Sequence, residues 1–525
     1  CACPPSRNIP ASTLFLVLIE ILSNTMAKLS KLSFLFPLIL ILIFIYIQSS
    51  SSLYLFEMYS NSPVKSYISD EIYYVSSARN ILLKVFNLNI TLSSKYDCQR
   101  YTIFFKNMKP SFTLINDIAD KYGIDLLYAN YSGSIKVIIV VPKDETNETF
   151  YKYLGGANAI YVEACNIKAL KEMIKELSVL DYNVSDVVPG WAYPDRGGIN
   201  NYLNLEHPPL GKYFIALSIL ILGDNPISWR IPSIIATILI FILSYFITIE
   251  ILKSFIGYQL SKWISLLVPS ILFFDTSLRT VGILAMLDPY VALFTVIGVY
   301  FFIREKNTLY DFSKKTSWIL AGLSKFSGLF IVPADLIEKT IFNTFSMKQR
   351  LKILIKEISI YLLLYIIFLL VFSLPLIMYI GFNEWFNQSI IYAFKWHTRT
   401  KQALTSGPPT TSPIDWLFGW NAFPLWYDPA LSNYVRCLGL PPIYLASFIL
   451  NLLFAPLMLR IDKPRRIWLS TYSIWFMYLL LYIIGNRSLY SFYIIQIGPL
   501  FIIQFVVCIT LVFKEISSAV ASIEH

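Results

Sequence analysis

Runs of about 20 apolar residues recur along this chain, the length a helix needs to cross the hydrocarbon layer of a bilayer. They fall at 33–55, 231–252, 263–280, 284–303, 357–380, 439–459, 467–485 and 493–513. In lipid, backbone amides must be satisfied within a helix or a closed barrel, so runs of this length fold as helices. The chain therefore reads as an α-helical polytopic membrane protein, with about 10 transmembrane or half-spanning helices once shorter runs are counted. Composition agrees, at 56% hydrophobic and 14% charged residues.

The net charge of +10 comes from clusters between the runs: Lys28/Lys31, Lys253/Lys262, Arg304/Lys306/Lys314/Lys315, Lys339/Lys348/Arg350/Lys352/Lys356 and Arg460/Lys463/Arg465/Arg466. They alternate with loops poor in Lys and Arg, which marks them as cytoplasmic and gives no sign of a nucleic-acid partner. Both ends come out cytoplasmic. The run Leu210–Gly223 is too short to span and reads as a helix lying at, or dipping into, the outer face. "SWILAGLSKFSGLFIVPADLI" (Ser317 to Ile337) has basic clusters on both sides and Lys325 in its middle, so a helical hairpin broken near Lys325 fits better than one crossing.

Six units follow: a leader and cytoplasmic N-terminus (1–32), the first span and start of the first outer loop (33–84), an extracytoplasmic insert (85–190), a juxtamembrane helix and membrane core (191–380), an outer acceptor or lid loop (381–438) and the C-terminal helices (439–525). Residues 1–25 precede Met26 and read as a mis-assigned start or an upstream extension. The insert reads as a small α/β domain. "SIKVIIVVP" resembles a buried strand, and "NIKALKEMIKELSVL" is an amphipathic helix after the strand-like "AIYVEAC". Sequons at Asn89, Asn130, Asn147 and Asn183 suit an outside location, and Cys98 and Cys165 can pair if that face is oxidising. Without a CxxC or Cys/His cluster, a thiolate zinc site is not expected. In the loop 381–438, Gly, Pro, Ser and Thr mark irregular backbone, and its Trp and Tyr residues suit the membrane interface.

On this map Asp70, Glu71, Glu206, His207, Arg279, Asp288, His397 and Arg487 all come out near the outer membrane surface, from five separated parts of the chain. Ionisable residues at membrane depth are costly and mark functional sites. Such a set suits group transfer from a lipid-linked donor: Asp70 as general base toward an attacking hydroxyl, Arg487 or Lys212 on a phosphate leaving group. Structural readings stand beside these. Ser69 or Asp70 can cap a helix, Asp288 can cap the next span, Lys325 can pair with an acid of the bundle, and Glu206 with His207 is a two-ligand signal for metal.

The order "DE" (Asp70, Glu71), "HPPLGK" (His207–Lys212), "LDP", "GLSKFSGLF", an outer loop with "SPIDW", and "RSLYSFYIIQIGP" resembles the protein O-mannosyltransferases and their lipid A aminoarabinose transferase relatives. These are membrane glycosyltransferases of the GT-C fold, and the words cover most of residues 33–510. The resemblance implies an inverting, polyprenyl-phosphate-sugar-dependent transferase in the cell membrane, its active site on the extracytoplasmic side. The sugar would be mannose, the donor dolichyl phosphate or a like lipid, and the acceptor a Ser/Thr hydroxyl of a protein. A glycolipid or lipid-linked glycan acceptor is the alternative, and a lipid-sugar flippase the reading of another class. Position by position, Asp70 and Glu71 become the catalytic pair and Lys212, Arg279 and Arg487 the donor-phosphate residues. Glu206, His207, Asp288, Lys325 and His397 fill the rest of the site. No cofactor is required, with a divalent metal at Glu206 and His207 as the option. The insert is unusual for the family, and "SPIDWLFGW" replaces its tryptophan-rich loop word.

Overall fold

Among the described residues of the computed structural model, five helices are long and apolar enough to cross a membrane: Leu35–Phe56, Pro226–Ile256, Met347–Ile380, Asp462–Ile484 and Gly498–Ser522. The described residues are 35–59, 67–88, 99–105, 111–130, 137–141, 150–154, 158–189, 201–342, 345–399, 409–428, 430–487 and 489–523. A sixth crossing is available if Tyr258–Leu272 and Thr276–Ile283, bent by 64°, count as one. The sequence-based runs at 284–303, 439–459 and 493–513 are each reshaped. The first becomes helical only at Asp288, the second is two helices, Pro441–Leu453 and Ala455–Arg460, and the third begins at Gly498. Proline accounts for the second break, since Pro456 offers no amide to continue the ladder.

The hairpin expected around Lys325 is present. Helix Thr308–Ser324 stops at Lys325, whose backbone is extended (φ −161°), and a 3-10 turn over Phe326–Ile331 leads into helix Val332–Ile341. At its open end Lys314 pairs with Asp335 at 2.7 Å and Lys339 with Asp311 at 2.7 Å, so the two arms run side by side. At the tip a Cβ on Gly328 would lie 2.1 Å from the Ala321 carbonyl carbon, an approach only glycine permits. Among the described residues one group of carboxylates, Glu305, Asp311 and Asp335, is spaced for a metal ion. The Lys314 ammonium already sits on all three.

Among the described residues the main sheet of the insert has four strands, β1 (Gln99–Phe105), β2 (Ile124–Asn130), β5 (Asn158–Ala164) and β6 (Val184–Pro189), in the order β2-β5-β1-β6. All neighbours are antiparallel. With helix Phe112–Lys121 between β1 and β2, and helix Ile167–Val179 between β5 and β6, this is a split β-α-β arrangement of the ferredoxin-like kind. Leu170, Met173 and Leu177, spaced on one helical face, pack with Ile103, Ile115, Ile160 and Val162. "SIKVIIVVP" departs from expectation. Its strand β3 (Val137–Val141) joins only β4 (Phe150–Leu154), in a hairpin apart from the main sheet. Cys165 is disulfide-bonded; Cys98, Asn89 and Asn147 lie outside the described residues, and Asn183 is exposed.

The loop 381–438 is more regular than its composition suggests. Ser412 and Asp415 form a reciprocal capping box that starts helix Pro413–Phe418, and β7 (Phe423–Asp428) pairs with β8 (Asn433–Cys437). Trp385 and Trp416 are buried in the protein, with Trp416 Nε1 donating to Thr411 Oγ1 at 2.8 Å, whereas Trp420, Tyr427 and Tyr434 of the same loop are exposed.

Candidate active site

Asp70 stands at a strained turn. Ser69 before it has φ +54°, a left-handed conformation costly for a residue with a side chain, and helix Glu71–Asn80 begins directly after. The capping reading for Asp70 is not met: its side chain makes no cap hydrogen bond, and its carboxylate accepts none among the described residues. Part-buried, it is pushed up to about 6 by burial, with Lys325 pulling it back and Asp288 adding to the rise.

Glu71 is the opposite case. Fully buried, it accepts from Arg230 Nε and Nη2 at 2.8 Å each, from the Ile68 amide at 2.9 Å and from the Ala285 amide at 2.8 Å. Both oxygens are committed to protein donors, so in this structure Glu71 shapes the turn that carries Asp70. It ties the Asp70 turn to helix Pro226–Ile256 and to the stretch just before Asp288. A second buried pair, Arg79 on Asp224 at 2.6 and 3.0 Å, fastens the other end of helix Glu71–Asn80.

Asp288 opens helix Asp288–Arg304 and accepts from Lys325 Nζ at 2.9 Å through one oxygen; its other oxygen is buried without a partner among the described residues. Lys325 Nζ also sits 4.0 Å from the centre of the Tyr493 ring. The structural pairing considered for Lys325 is thus real, and it lies within electrostatic reach of Asp70. Gln496 Nε2 donates to the Ser327 carbonyl at 3.2 Å, supporting the broken hairpin tip.

His207 and His397 face each other, ring centres 5.2 Å apart, and His397 Nε2 lies 3.3 Å from the Glu206 carbonyl. Burial drives both imidazoles toward the neutral form, His207 well below its ordinary range and His397 to about 4. His207 Nδ1 is buried with no partner. Glu206 Oε1 accepts from Tyr202 and from Asn204 Nδ2. Glu206, His207 and His397 do not form a three-donor set spaced for a metal among the described residues.

The three expected phosphate residues divide. Lys212 is fully buried and its ammonium donates to the carbonyls of Leu203, Asn204 and His207. All three of its hydrogens shape the loop before the Pro-Pro word, which removes it as a phosphate ligand. Arg279 is exposed on the short helix Thr276–Thr280 and makes no contact with the cluster. Arg487 is exposed, 4.1 Å from the Tyr482 ring centre, and next to Asn486, whose Nδ2 donates to the His397 carbonyl at 2.6 Å. It stands at the rim. Arg230, Tyr493 and Gln496 escaped the sequence reading. An arginine at the head of an apolar run was the visible signal for Arg230, and Tyr493 and Gln496 stand within the word "RSLYSFYIIQIGP".

The stretch that holds Glu206, His207, Lys212, Arg230, Asp288 and Lys325 lies within residues 199–388, which match the family model for dolichyl-phosphate-mannose-protein mannosyltransferases. This region is mannosyltransferase-like. Asp70, His397 and Arg487 lie outside the matched residues. Two solved structures of ArnT from Cupriavidus metallidurans also align. The one bound to undecaprenyl phosphate does so at 14% identity and TM-score 0.38, the apo state at 12% and 0.37. Each alignment covers 58% of this chain and 50% of the other, so the chain spans about half the length of the solved proteins it matches. No curated protein matches the chain.

Proposed function

We infer that this chain is a GT-C glycosyltransferase that moves one sugar, mannose in the first instance, from a polyprenyl phosphate to a hydroxyl on the extracytoplasmic face. The observation that carries this reading is the Asp70 carboxylate, left without a hydrogen bond among the described residues while Glu71 and Arg230 lock the turn that presents it. In the proposed step the Asp70 carboxylate accepts the proton of the acceptor hydroxyl. The hydroxyl oxygen attacks the sugar C1 from the side opposite the phosphate, the C1–O bond breaks, and the lipid phosphate leaves with the electron pair. Lys325, held on Asp288, supplies fixed positive charge, and Arg487 at the rim is the phosphate ligand. The donor carries its own leaving group, so activity is expected to survive chelation. A protein Ser/Thr acceptor follows the mannosyltransferase-like region.

The test is sugar transfer from labelled polyprenyl-phosphate mannose by purified protein, with peptide and lipid acceptors supplied separately. Asp70→Asn should lose at least about 100-fold in turnover, the lower range for a general base, with an unchanged unfolding midpoint. A variant that keeps full activity removes Asp70 from the role.

A further inference from the structure

Glu206 takes no part in the proton transfer assigned to Asp70, yet its turn is held as tightly. The His207 amide donates to the Asn204 carbonyl at 3.2 Å, closing a turn with Glu206 inside it, and Asn204 stands in the left-handed region at φ +52°. Ser69, one residue before Asp70, has φ +54°. Backbone strain of this kind persists only where surrounding contacts enforce it, and it collects at binding and catalytic sites. Side chains enforce it here. Asn204 Nδ2 donates at 2.9 Å both to Glu206 Oε1 and to the Tyr202 hydroxyl, which itself donates to the same Oε1.

Two donors thus fix Oε1, and Oε2 has none among the described residues. Unlike Asp288 Oδ2 and His207 Nδ1, Oε2 is not closed off by packing, and Glu206 is only part-buried. A carboxylate oxygen is an acceptor only, so an open one takes an O–H or N–H donor. Lys212 favours a neutral donor. Its ammonium, on the carbonyls of Asn204 and His207 either side of Glu206, already sets a positive charge within electrostatic reach of the carboxylate.

Contacts join Glu206 to both ends of the proposed reaction. Toward Arg487, Asn486 Nδ2 donates to the His397 carbonyl at 2.6 Å, and His397 Nε2 lies 3.3 Å from the Glu206 carbonyl. Toward Asp70, Tyr74 lies within electrostatic reach of both Tyr202 and Asp70. In an inverting displacement the sugar ring lies between the base that serves the acceptor and the phosphate that leaves. A group tied to both ends meets the sugar.

We propose that Glu206 Oε2 accepts a hydrogen bond from one hydroxyl of the transferred hexose, with Tyr202 and Asn204 as the positioning residues that aim it. The proposal rests on the transferase reading and assigns a specificity contact within its site.

The experiment gives the full chain in nanodiscs polyprenyl-phosphate mannose, glucose and galactose, then the monodeoxy analogues of the hexose that wild type transfers. Wild type should lose at least about tenfold in kcat/KM on one analogue, the scale of a hydrogen bond to a charged group. In Glu206→Gln the two donors on Oε1 hold the amide oxygen there and turn the amide NH2 to the open side. This variant should lose about as much on the parent hexose and nothing further on that analogue, since enzyme and substrate then lack the same bond. Tyr202→Phe should show the same coupling with a smaller loss. Undecaprenyl phosphate, which carries no sugar, reports folding of the variants and should bind as to wild type. Losses that multiply on every analogue, or full hexose transfer by Glu206→Gln, overturn the contact while leaving the transferase intact. Weakened undecaprenyl phosphate binding with equal losses on all donors shows that Glu206 serves only its turn, and overturns it as well. Wild-type activity abolished by a chelator and restored by a divalent ion, with Glu206→Gln indifferent to both, makes Glu206 a metal ligand instead. No transfer of any donor by wild type overturns the transferase reading, and the sugar contact with it.

Discussion

Asp70 and Glu71 are neighbours in sequence and opposites in environment. Among the described residues one carboxylate has no hydrogen-bond partner and the other has four donors. If Asp70 is the base of the proposed step, it acts as its carboxylate, and because burial lifts it to about 6, turnover should fall as pH drops through 6 and level off above it. A pH profile of kcat/KM checks this; a base limb near the ordinary aspartate value of about 4 would separate Asp70 from the limiting proton. Arg230→Ala strands the Glu71 charge inside the protein, and the expected cost is about 3–5 kcal/mol, read from unfolding in detergent. An adjacent Asp-Glu word could be noticed in sequence, but the partners that divide the two roles come from residues 230 and 285, far along the chain. Lys212 shows the same limit from the other side: a lysine after Pro-Pro looks free until its three carbonyl partners are seen.

At the scale of elements, the hairpin built on Thr308–Ser324 and Val332–Ile341 was legible, because Lys325 cannot rest in the middle of a lipid-crossing run and basic clusters flank it on both sides. Its ion cluster was not. Asp335 is fully buried and accepts from Lys314 Nζ at 2.7 Å and Tyr361 at 2.9 Å, closing the end of the hairpin opposite Lys325. Asp335→Ala should cost about 3–5 kcal/mol in a denaturant midpoint series; a loss below about 1 kcal/mol, the scale of an exposed pair, would mean that the arms are held by apolar packing alone. The capping box of Ser412 and Asp415 was in plain view as "SPID", and the loop's many prolines and glycines masked it.

For the whole molecule, orientation is the prediction that joins insert, core and site. If the basic clusters lie in the cytoplasm, exposed Asn183 lies outside, and an Asn183→Cys variant should react with a membrane-impermeant maleimide on intact cells. Labelling only after the cells are opened would invert the topology and move the candidate site to the other face. The sequence by itself determined the solvent, the helical class and the α/β character of the insert, since run length, charge asymmetry and periodicity are local quantities written along the chain. It also carried the words by which residues 199–388 are mannosyltransferase-like. Only the tertiary structure decided which charges are spent on one another. Lys212, Glu71 and Lys325 are satisfied by residues or carbonyls that folding brings to them, whereas Asp70 and His207 Nδ1 are left without hydrogen bonds among the described residues. Buried polar groups take their roles from what remains unpaired after packing, and that remainder exists only in three dimensions.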